Sequence, residues 1–222
     1  MPVFIDRLLY IFIFIAVSFP VIAKEYNLSE MLLDIDKKLS VTELKEQAIR
    51  KGKERAILCG QCHGDDGNSV KPEVPNLAQQ NPSYLLQQIE KFANGTRKNY
   101  VMNALSKNFD RDDKVNLALF YANMQLKQIV TDPVLAKSGR SIYMQNCSTC
   151  HGEKGVGKKD FARLAGQQVV YVTNTLKRFR DNAQGKPVTD SSKRSNPIME
   201  SIARPLTDEN IDSLAAYIAQ LK

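Results

Sequence analysis

The sequence predicts an all-α fold in which one unit occurs twice, and three observations support this prediction. First, the segment 59–64 superposes on the segment 147–152, and much of the sequence that follows stays in register after two gaps. Second, apolar residues recur at helical spacing in both copies, as in the segments 84–92 and 171–179. Third, neither copy shows the apolar and polar alternation, or the turn signals, of a β-hairpin.

Composition narrows the class of protein. The chain has 222 residues, of which 43% are hydrophobic and 25% are charged, with a net charge of +7. These values are those of an ordinary globular protein and exclude a collagen-like, low-complexity or wholly disordered chain. The length suits one large domain or two small ones of about 100 residues each. A positive net charge is compatible with nucleic-acid binding, so charge alone does not exclude nucleic acid as a partner.

Residues 1–23 are predicted to be a signal peptide that is cleaved after Ala23. Arg7 supplies the positive charge, and the apolar stretch from Leu8 to Ala23 is 16 residues long, shorter than the roughly 20 residues that span a bilayer. Retention of this segment as a membrane anchor is the alternative. Export places the cysteines in an oxidising compartment. Residues 24–40 form a leader segment outside the repeat, with the pattern of a short amphipathic helix.

The repeat divides the rest of the chain into two predicted domains. The first spans residues 41–128 and the second residues 134–222, and the polar linker 129–133, stiffened by its proline, joins them. The last helix of each copy is expected to begin behind an N-cap residue, Asp110 in the first copy and Thr207 in the second.

All four cysteines and both histidines fall in two Cys-x-x-Cys-His segments, which is the attachment pattern of c-type haem. Two cysteines three positions apart on a helical turn can each form a thioether with one porphyrin, and the adjoining imidazole reaches the iron from the same side. The pattern therefore predicts two haem c groups as cofactors. The predicted attachment residues are Cys59, Cys62, Cys147 and Cys150, and the predicted iron ligands are His63 and His151.

Three other uses of the cysteines compete with haem attachment. A disulfide within each pair suits an exported protein, but it leaves the histidine after each pair unexplained. A thioredoxin-like redox site needs strands and a βαβ unit, and the sequence predicts neither. A zinc site needs four ligands close together, so each pair would have to find an unknown fourth ligand beside its own histidine.

Methionine is the remaining candidate for the sixth iron ligand, because no other histidine or cysteine is present. Of the six methionines, only Met102 and Met199 occupy equivalent positions in the two copies, in polar loops that follow Arg97 and Arg194. A methionine at helical spacing usually serves packing, whereas a thioether is a common axial ligand of electron-carrying c-type haems. Met102 and Met199 are therefore predicted to be the axial ligands.

With these motifs, the chain resembles the cytochrome c4 family, whose members are dihaem class I cytochromes. The resemblance covers about residues 50–222. It rests on features that recur in both copies: the two Cys-x-x-Cys-His-Gly segments, the Leu-Ala pairs at 77–78 and 164–165, Tyr84 and Tyr171, and the methionine segments 97–102 and 193–199.

The resemblance implies two tandem class I cytochrome c domains, each wrapped around one covalently attached haem. It also implies a function, the transfer of single electrons in the periplasm from a membrane respiratory complex such as a bc1 complex to a terminal oxidase or reductase. In such cytochromes a proline carbonyl binds the ligand histidine, a role that falls to Pro75 in the first copy and to Ala162 in the second. Gln79 departs from the family pattern, which has a glycine there.

Two other functions stay open from the sequence. The chain could be the cytochrome subunit of a larger dehydrogenase, such as a flavocytochrome, or a dihaem redox enzyme such as a peroxidase. An enzyme would need an open iron or a further His or Cys ligand, and the sequence has none to spare, so no catalytic residue is predicted.

The basic residues at 177–180 and 193–194 suit a solvated helix face, pairing with haem propionates, or steering toward an acidic partner. Haem propionates also lower the net charge of the protein. Nucleic acid is therefore not an expected partner. The expected partners are membrane respiratory complexes, and a peripheral contact with the membrane is expected in addition.

Overall fold

The structure is a computed structural model that describes residues 27–186 and 194–222. The predicted signal peptide, the start of the leader and Lys193 of the basic pair lie outside the described residues. Within these two ranges there are eleven α-helices and no β-strand, and one isolated bridge pairs Lys158 with Phe161. The predicted all-α fold is confirmed. None of the helices in the same ranges has the length and apolarity needed to cross a membrane.

Five helices form each copy, in the same order, and one helix precedes them. The preceding helix is α1 (Leu28–Ser40). The first copy contains α2 (Thr42–Arg55), α3 (Gly60–His63), α4 (Pro82–Ala93), α5 (Tyr100–Ser106) and α6 (Arg111–Ala122). The second copy contains α7 (Pro133–Asn146), α8 (Ser148–His151), α9 (Val169–Ala183), α10 (Pro197–Ala203) and α11 (Asp208–Gln220).

The last helix of each copy begins directly after the predicted N-cap residue. Before α6 the Asp110 carboxylate accepts a hydrogen bond from the Asp113 N–H (2.7 Å), and before α11 the Thr207 hydroxyl accepts one from the Asn210 N–H (3.2 Å). The Asn210 side chain in turn accepts from the Thr207 N–H (3.2 Å), which completes a capping box. These bonds satisfy backbone donors that the first helical turn leaves free.

In each copy the first helix crosses the last helix at a glycine. A Cβ atom on Gly52 of α2 would lie 2.3 Å from the carbonyl oxygen of Asn116 on α6. One on Gly139 of α7 would lie 2.0 Å from the carbonyl oxygen of Ser213 on α11. No side chain fits between backbones at these distances. Each close crossing helps to enclose a separate apolar core, one in each copy.

Helix α1 adds a further layer to the first copy. It packs on α2, α4 and α6, and its Met31 and Ile35 side chains are fully buried there. On its flank, Asp34 pairs with Lys38 (2.6 Å) and with Arg111 of α6 (3.5 Å). The amphipathic helix expected in the leader is therefore present, and its apolar face belongs to the core of the first copy.

Pro133, which was expected to stiffen the linker, is instead the first residue of α7. Proline suits this position because its ring fixes a helical backbone angle and its missing N–H would have no helical partner there. The Asp132 carboxylate accepts hydrogen bonds from the N–H groups of Val134 (2.7 Å) and Leu135 (3.2 Å). The first helix of the second copy, α7, thus begins one residue before the predicted start of the second domain at residue 134.

Candidate haem sites

Each Cys-x-x-Cys-His segment folds into a single helical turn. The His63 N–H donates to the Cys59 carbonyl (2.9 Å), and the His151 N–H donates to the Cys147 carbonyl (3.0 Å). The first cysteine and the histidine of each segment therefore lie one turn apart, with the second cysteine between them. All four cysteines have free thiols, and none is buried. Each turn offers two accessible thiols next to one imidazole, as thioether attachment requires.

Each histidine is oriented by a backbone carbonyl eleven or twelve residues further along the chain. His63 Nδ1 lies 3.0 Å from the Pro75 oxygen, and His151 Nδ1 lies 2.8 Å from the Ala162 oxygen. Because a carbonyl can only accept, Nδ1 carries the proton and Nε2 keeps the lone pair that a metal needs. Burial lowers the pKa of both histidines, and the carbonyls oppose this shift in part. Both imidazoles are thus neutral donors.

A short loop brings the carbonyl to the histidine in both copies. The Leu77 N–H donates to the Gly67 carbonyl (2.8 Å), and the Leu164 N–H donates to the Gly155 carbonyl (2.7 Å). Both glycines have a positive φ, of 74° and 67°, a conformation that is costly for other residues. The loop closes in the same way in both copies, which explains why Ala162 presents its carbonyl without the rigidity of proline.

The two methionines lie in short helices, whereas the sequence placed them in polar loops. Met102 is the third residue of α5 and Met199 the third residue of α10, and both are partly buried. Asn99 and Asn196 cap these helices, and each side chain accepts from the methionine N–H at 3.0 Å. The polar residues that indicated a loop are in fact helix caps, and they give both methionines the same backbone setting.

A pair of glutamines joins the two copies. The Gln80 amide accepts from the Arg163 N–H (2.6 Å) and donates to the Arg163 carbonyl (2.8 Å). The Gln167 amide accepts from the Asn76 N–H (2.7 Å) and donates to the Asn76 carbonyl (3.0 Å). Gln80, Gln167 and Asn76 are buried. The interface thus fixes the relative position of the two histidine loops, since Asn76 follows Pro75 and Arg163 follows Ala162.

Two arginines and two tyrosines meet at the same interface. Arg97 donates to the Tyr171 hydroxyl (3.2 Å), while Arg194 donates to the hydroxyls of Tyr171 (3.1 Å) and Tyr84. Each guanidinium also lies over a phenylalanine ring of its own copy, at 4.4 and 5.2 Å from the ring centroid. Residues from both copies therefore form one polar cluster.

This cluster is a buried positive site. Burial alone would raise the pKa of Tyr171, but the charges of Arg194 and Arg97 outweigh it and lower that pKa to about 7. Burial, followed by the Arg194 charge, lowers the pKa of Arg97. Among the described residues, no carboxylate forms an ion pair with either guanidinium. Buried cations without an anion are costly, so the cluster suits carboxylates of a bound group, such as haem propionates.

Pairing with haem propionates was one of three interpretations of the basic residues 193–194, but the cluster itself was not predicted, although a signal for it was present. Arg97 and Arg194 are equivalent in the repeat, and so are Tyr84 and Tyr171. Two equivalent pairs of polar residues would have indicated a shared site. The basic segment 177–180, by contrast, has ordinary partners. Both Lys177 (3.6 Å) and Arg180 (2.7 Å) pair with Asp208.

The residues present fit haem c better than the competing uses of the cysteines. Each copy supplies two free thiols and a neutral histidine with an available Nε2, and the interface supplies cationic donors for carboxylates. Among the described residues, no three His, Cys, Asp or Glu side chains gather into a metal cluster, so neither segment finds the further protein ligands that structural zinc requires. An all-α fold with two such sites defines a c-type cytochrome with two haem groups.

Comparison with known proteins gives the family. The model of the cytochrome c family matches residues 136–222. Cytochrome c4 of Pseudomonas aeruginosa is 31% identical over 206 residues, which cover 87% of this chain and 100% of the relative. Cytochrome c4 of Azotobacter vinelandii is 33% identical over 189 residues, covering 77% and 87%. The crystal structure of reduced recombinant cytochrome c4 from Pseudomonas stutzeri superposes with a TM-score of 0.69 at 29% identity and covers 78% of this chain and 98% of that one.

The chain therefore belongs to the cytochrome c4 family. It carries covalently bound haem c, and its fold is that of a dihaem class I cytochrome.

Proposed function

We propose that this chain carries single electrons between partner proteins, with one haem held by His63 and Met102 and the other by His151 and Met199. Bound haem c supplies an iron that takes up or releases one electron. The observation that carries the proposal is the equivalence of the two sites. The same helical turn, the same histidine contact and the same capped methionine occur in both copies.

Each haem is assigned to one copy. We assign one haem to residues 41–128 and the other to residues 134–222, with thioethers to the two cysteines of each segment. The attachment residues are Cys59 and Cys62 in the first copy and Cys147 and Cys150 in the second. A Cys62→Ala, Cys59→Ala variant should lose the mass of one haem in intact-protein mass spectrometry, and the corresponding change in the second copy should lose the other.

The inventory of side chains favours a carrier over an enzyme. Both histidines and all four cysteines of the sequence stand in the two attachment segments, so neither site has a spare histidine to act as a general acid or base. Peroxide turnover by the purified protein at a rate typical of enzymes, about 1 to 1,000 per second, would contradict the proposal.

The axial methionines can be tested one at a time. Ferric haem with a methionine ligand has a weak near-infrared band, so we expect Met102→Ala to remove the part of this band that belongs to one haem and Met199→Ala to remove the rest. Met124→Ala and Met144→Ala are matched controls, because these methionines pack against the first and second core. Both controls should keep the full band. Retention of the band in both Met102→Ala and Met199→Ala would contradict the ligand assignment.

The proposed location is the periplasm, after removal of residues 1–23. Cell fractionation should recover the protein there, and N-terminal sequencing of the mature form should begin at Lys24. Recovery only as a membrane-spanning form that retains Arg7 would contradict cleavage and favour an anchor.

The proposed partners are membrane respiratory complexes, with a donor such as a bc1 complex and an acceptor such as a terminal oxidase. Purification of the tagged protein from the native membrane fraction tests this proposal. A respiratory complex should be enriched with it in a salt-sensitive manner. A stoichiometric flavoprotein that resists salt would instead identify the chain as a subunit of a larger dehydrogenase.

A further inference from the structure

The imidazole of His151 contacts an aromatic ring. The ring centroids of His151 and Phe161 lie 6.3 Å apart, and the two ring planes are inclined by 78°, which is the edge-to-face geometry of an aromatic pair. Among the described residues, no aromatic ring makes such a contact with His63. The two histidines therefore share a backbone carbonyl contact but differ in the surroundings of their rings.

Core packing does not account for the position of Phe161. The residue is 45% exposed and belongs to neither apolar core, whereas His151 beside it is only 8% exposed. The equivalent residue of the first copy is Val74, since Val74 precedes Pro75 and Phe161 precedes Ala162. A single exposed aromatic residue is ordinary on a protein surface. This one touches a predicted iron ligand, and the first copy shows that the fold does not require a ring at this position.

A tight turn, residues 157–161, places Phe161 next to His151. The Gly157 N–H donates to the His151 carbonyl (2.8 Å), and the backbone groups of Lys158 and Phe161 bind each other in both directions (2.9 and 3.3 Å). Lys159 within this turn has a φ of +50°. A residue other than glycine keeps this left-handed conformation only where the surrounding structure holds it. The 157–161 turn is thus a fixed support and not a loose loop.

The first copy holds this turn from across the interface. The Asn81 side-chain amide donates to the carbonyl of Phe161 (2.7 Å) and to that of Val156 (3.2 Å). Asn81 stands at the N-cap of α4, where an asparagine side chain commonly binds its own helix, yet it makes no cap hydrogen bond. Gln168, the equivalent residue of the second copy, donates to the Ser69 carbonyl (2.6 Å). The reverse contact therefore goes to a different part of the loop.

The carbonyl contact alone leaves the imidazole some freedom. Hydrogen bonds tolerate a spread of angles, so the bond at Nδ1 permits limited rotation of the ring about its Cβ–Cγ bond. A second ring packed against the imidazole restricts this rotation, because the two rings would either separate or overlap. The orientation and the surroundings of an axial histidine are among the features by which a protein tunes the metal.

We infer that Phe161 is a positioning residue for His151 and that Asn81 of the first copy keeps Phe161 in place. The inference rests on the proposed ligation of the second haem by His151, and it adds a difference between the two sites. The interface fixes the imidazole plane in the second copy alone, so two sites with the same ligand residues are not equivalent.

Proton NMR of the ferric holoprotein tests the inference. The unpaired electron of ferric haem spreads over the porphyrin in a pattern that follows the axial imidazole plane, so the haem methyl resonances report this plane. Phe161→Val, which introduces the residue of the first copy, should shift the methyl resonances of the second haem and leave those of the first unchanged. Asn81→Ala should shift the same resonances by less, because the turn keeps its own backbone bonds. Phe161→Tyr keeps the ring and should restore the wild-type pattern.

Gln87→Ala is the matched control for Asn81→Ala. Gln87 also donates from the first copy to the 157–161 turn, but it binds the Asp160 carboxylate (2.6 Å) and not the Phe161 backbone. It should leave both sets of methyl resonances unchanged, and a shift as large as that of Asn81→Ala would overturn the role of Asn81. Intact-protein mass spectrometry should find two haems in every variant.

A purely structural role for Phe161 predicts a different result. Phe161→Val would then lower the midpoint of unfolding without moving the methyl resonances of the second haem, and this outcome overturns the inference. Equal shifts at both haems overturn it as well, because they would show a general change of the fold.

The reduced wild type separates this inference from the proposed ligation. The ring protons of a histidine bound to haem iron lie over the porphyrin, whose ring current shifts them strongly upfield. Absence of such signals from His151 overturns the ligation, and the inference with it. Their presence, together with unchanged methyl resonances in ferric Phe161→Val, overturns the inference alone.

Discussion

Gln80 and Gln167 make the same contact in opposite directions across the interface between the copies. Gln80 of the first copy binds both backbone groups of Arg163, and Gln167 of the second copy binds both backbone groups of Asn76. Both glutamines are equivalent in the repeat, and so are Asn76 and Arg163. The interface therefore resembles that of a two-fold dimer, in which one contact is made twice.

Loss of either glutamine amide should weaken the interface strongly. Gln80→Ala or Gln167→Ala removes two hydrogen bonds to the other copy and a third from the N–H of the next residue, Asn81 or Gln168. The substitution leaves an N–H and a C=O of the other copy without side-chain partners, part-buried at Arg163 and buried at Asn76, at a cost of about 2–4 kcal/mol for the two groups. The free energy of unfolding of the holoprotein, measured by denaturant titration, should fall by this amount. Separation of a single unfolding transition into two would show that the copies have become uncoupled.

Gln87→Ala is the matched control for this measurement. Gln87 also donates across the interface, to the Asp160 carboxylate at 2.6 Å, but this bond is exposed to solvent. Because water can replace it, its loss should cost less than about 1 kcal/mol. Equal destabilisation by Gln87→Ala and Gln167→Ala would show that burial of the Gln80 and Gln167 side-chain amides does not increase their contribution to stability.

Substitution of Gln79 by glycine should stabilise the protein. Its φ is +54°, in the left-handed region, whereas the equivalent residue of the second copy is Gly166 with φ +69°. A non-glycine residue pays about 1 kcal/mol or more in this conformation, and the Gln79 side chain gains only an exposed 3.4 Å hydrogen bond to Gln125. We expect Gln79→Gly to raise the free energy of unfolding by up to about 1 kcal/mol, as measured by thermal or denaturant unfolding.

Gly166→Ala provides the opposite test. The substitution adds a Cβ at a positive φ, and this atom would lie 2.4 Å from the Leu126 Cδ2. It should destabilise the protein by about 1–3 kcal/mol. An increase in stability with Gly166→Ala, or a decrease with Gln79→Gly, would contradict the account of strain at this turn.

The sequence predicted those parts of the fold that depend on local signals. The repeat, the helical spacing and the caps at Asp110 and Thr207 are each read from residues close together in the chain, and the structure has all of them. The capped helices around Met102 and Met199 were taken for loops, since seven-residue helices carry too few apolar positions to show a period.

The contacts between the copies could not be predicted in the same way. Gln80 reaches Arg163, which lies 83 residues further along the chain, and Gln167 reaches back 91 residues to Asn76. A glutamine that binds the backbone of a distant residue produces no periodic pattern and no charge pattern in the sequence around it. The glycine crossings at Gly52 and Gly139 are similar, because their need for a small residue is set by the approach of a distant helix.

Pro75→Ala should leave the first haem site intact. The second copy already uses Ala162 at this position, and its carbonyl lies 2.8 Å from His151 Nδ1, compared with 3.0 Å for Pro75 and His63. Proline contributes chiefly by restricting the unfolded chain, so the substitution should cost less than about 1 kcal/mol. The absorption spectrum and the reduction potentials of the holoprotein should not change, and loss of one haem would show that the ring itself orients the histidine.

Helix α1 should stabilise the first copy through its buried face alone. Ile35 is 0% exposed in the core of the first copy, whereas Leu33, two residues earlier on the same helix, is 68% exposed. Ile35→Ala removes buried methyl groups and leaves a cavity, which should cost about 2–4 kcal/mol. Leu33→Ala changes the same helix at the surface and should stay within about 0.5 kcal/mol. Denaturant unfolding of both holoproteins measures the difference, and equal effects would mean that α1 does not pack on the first copy in solution.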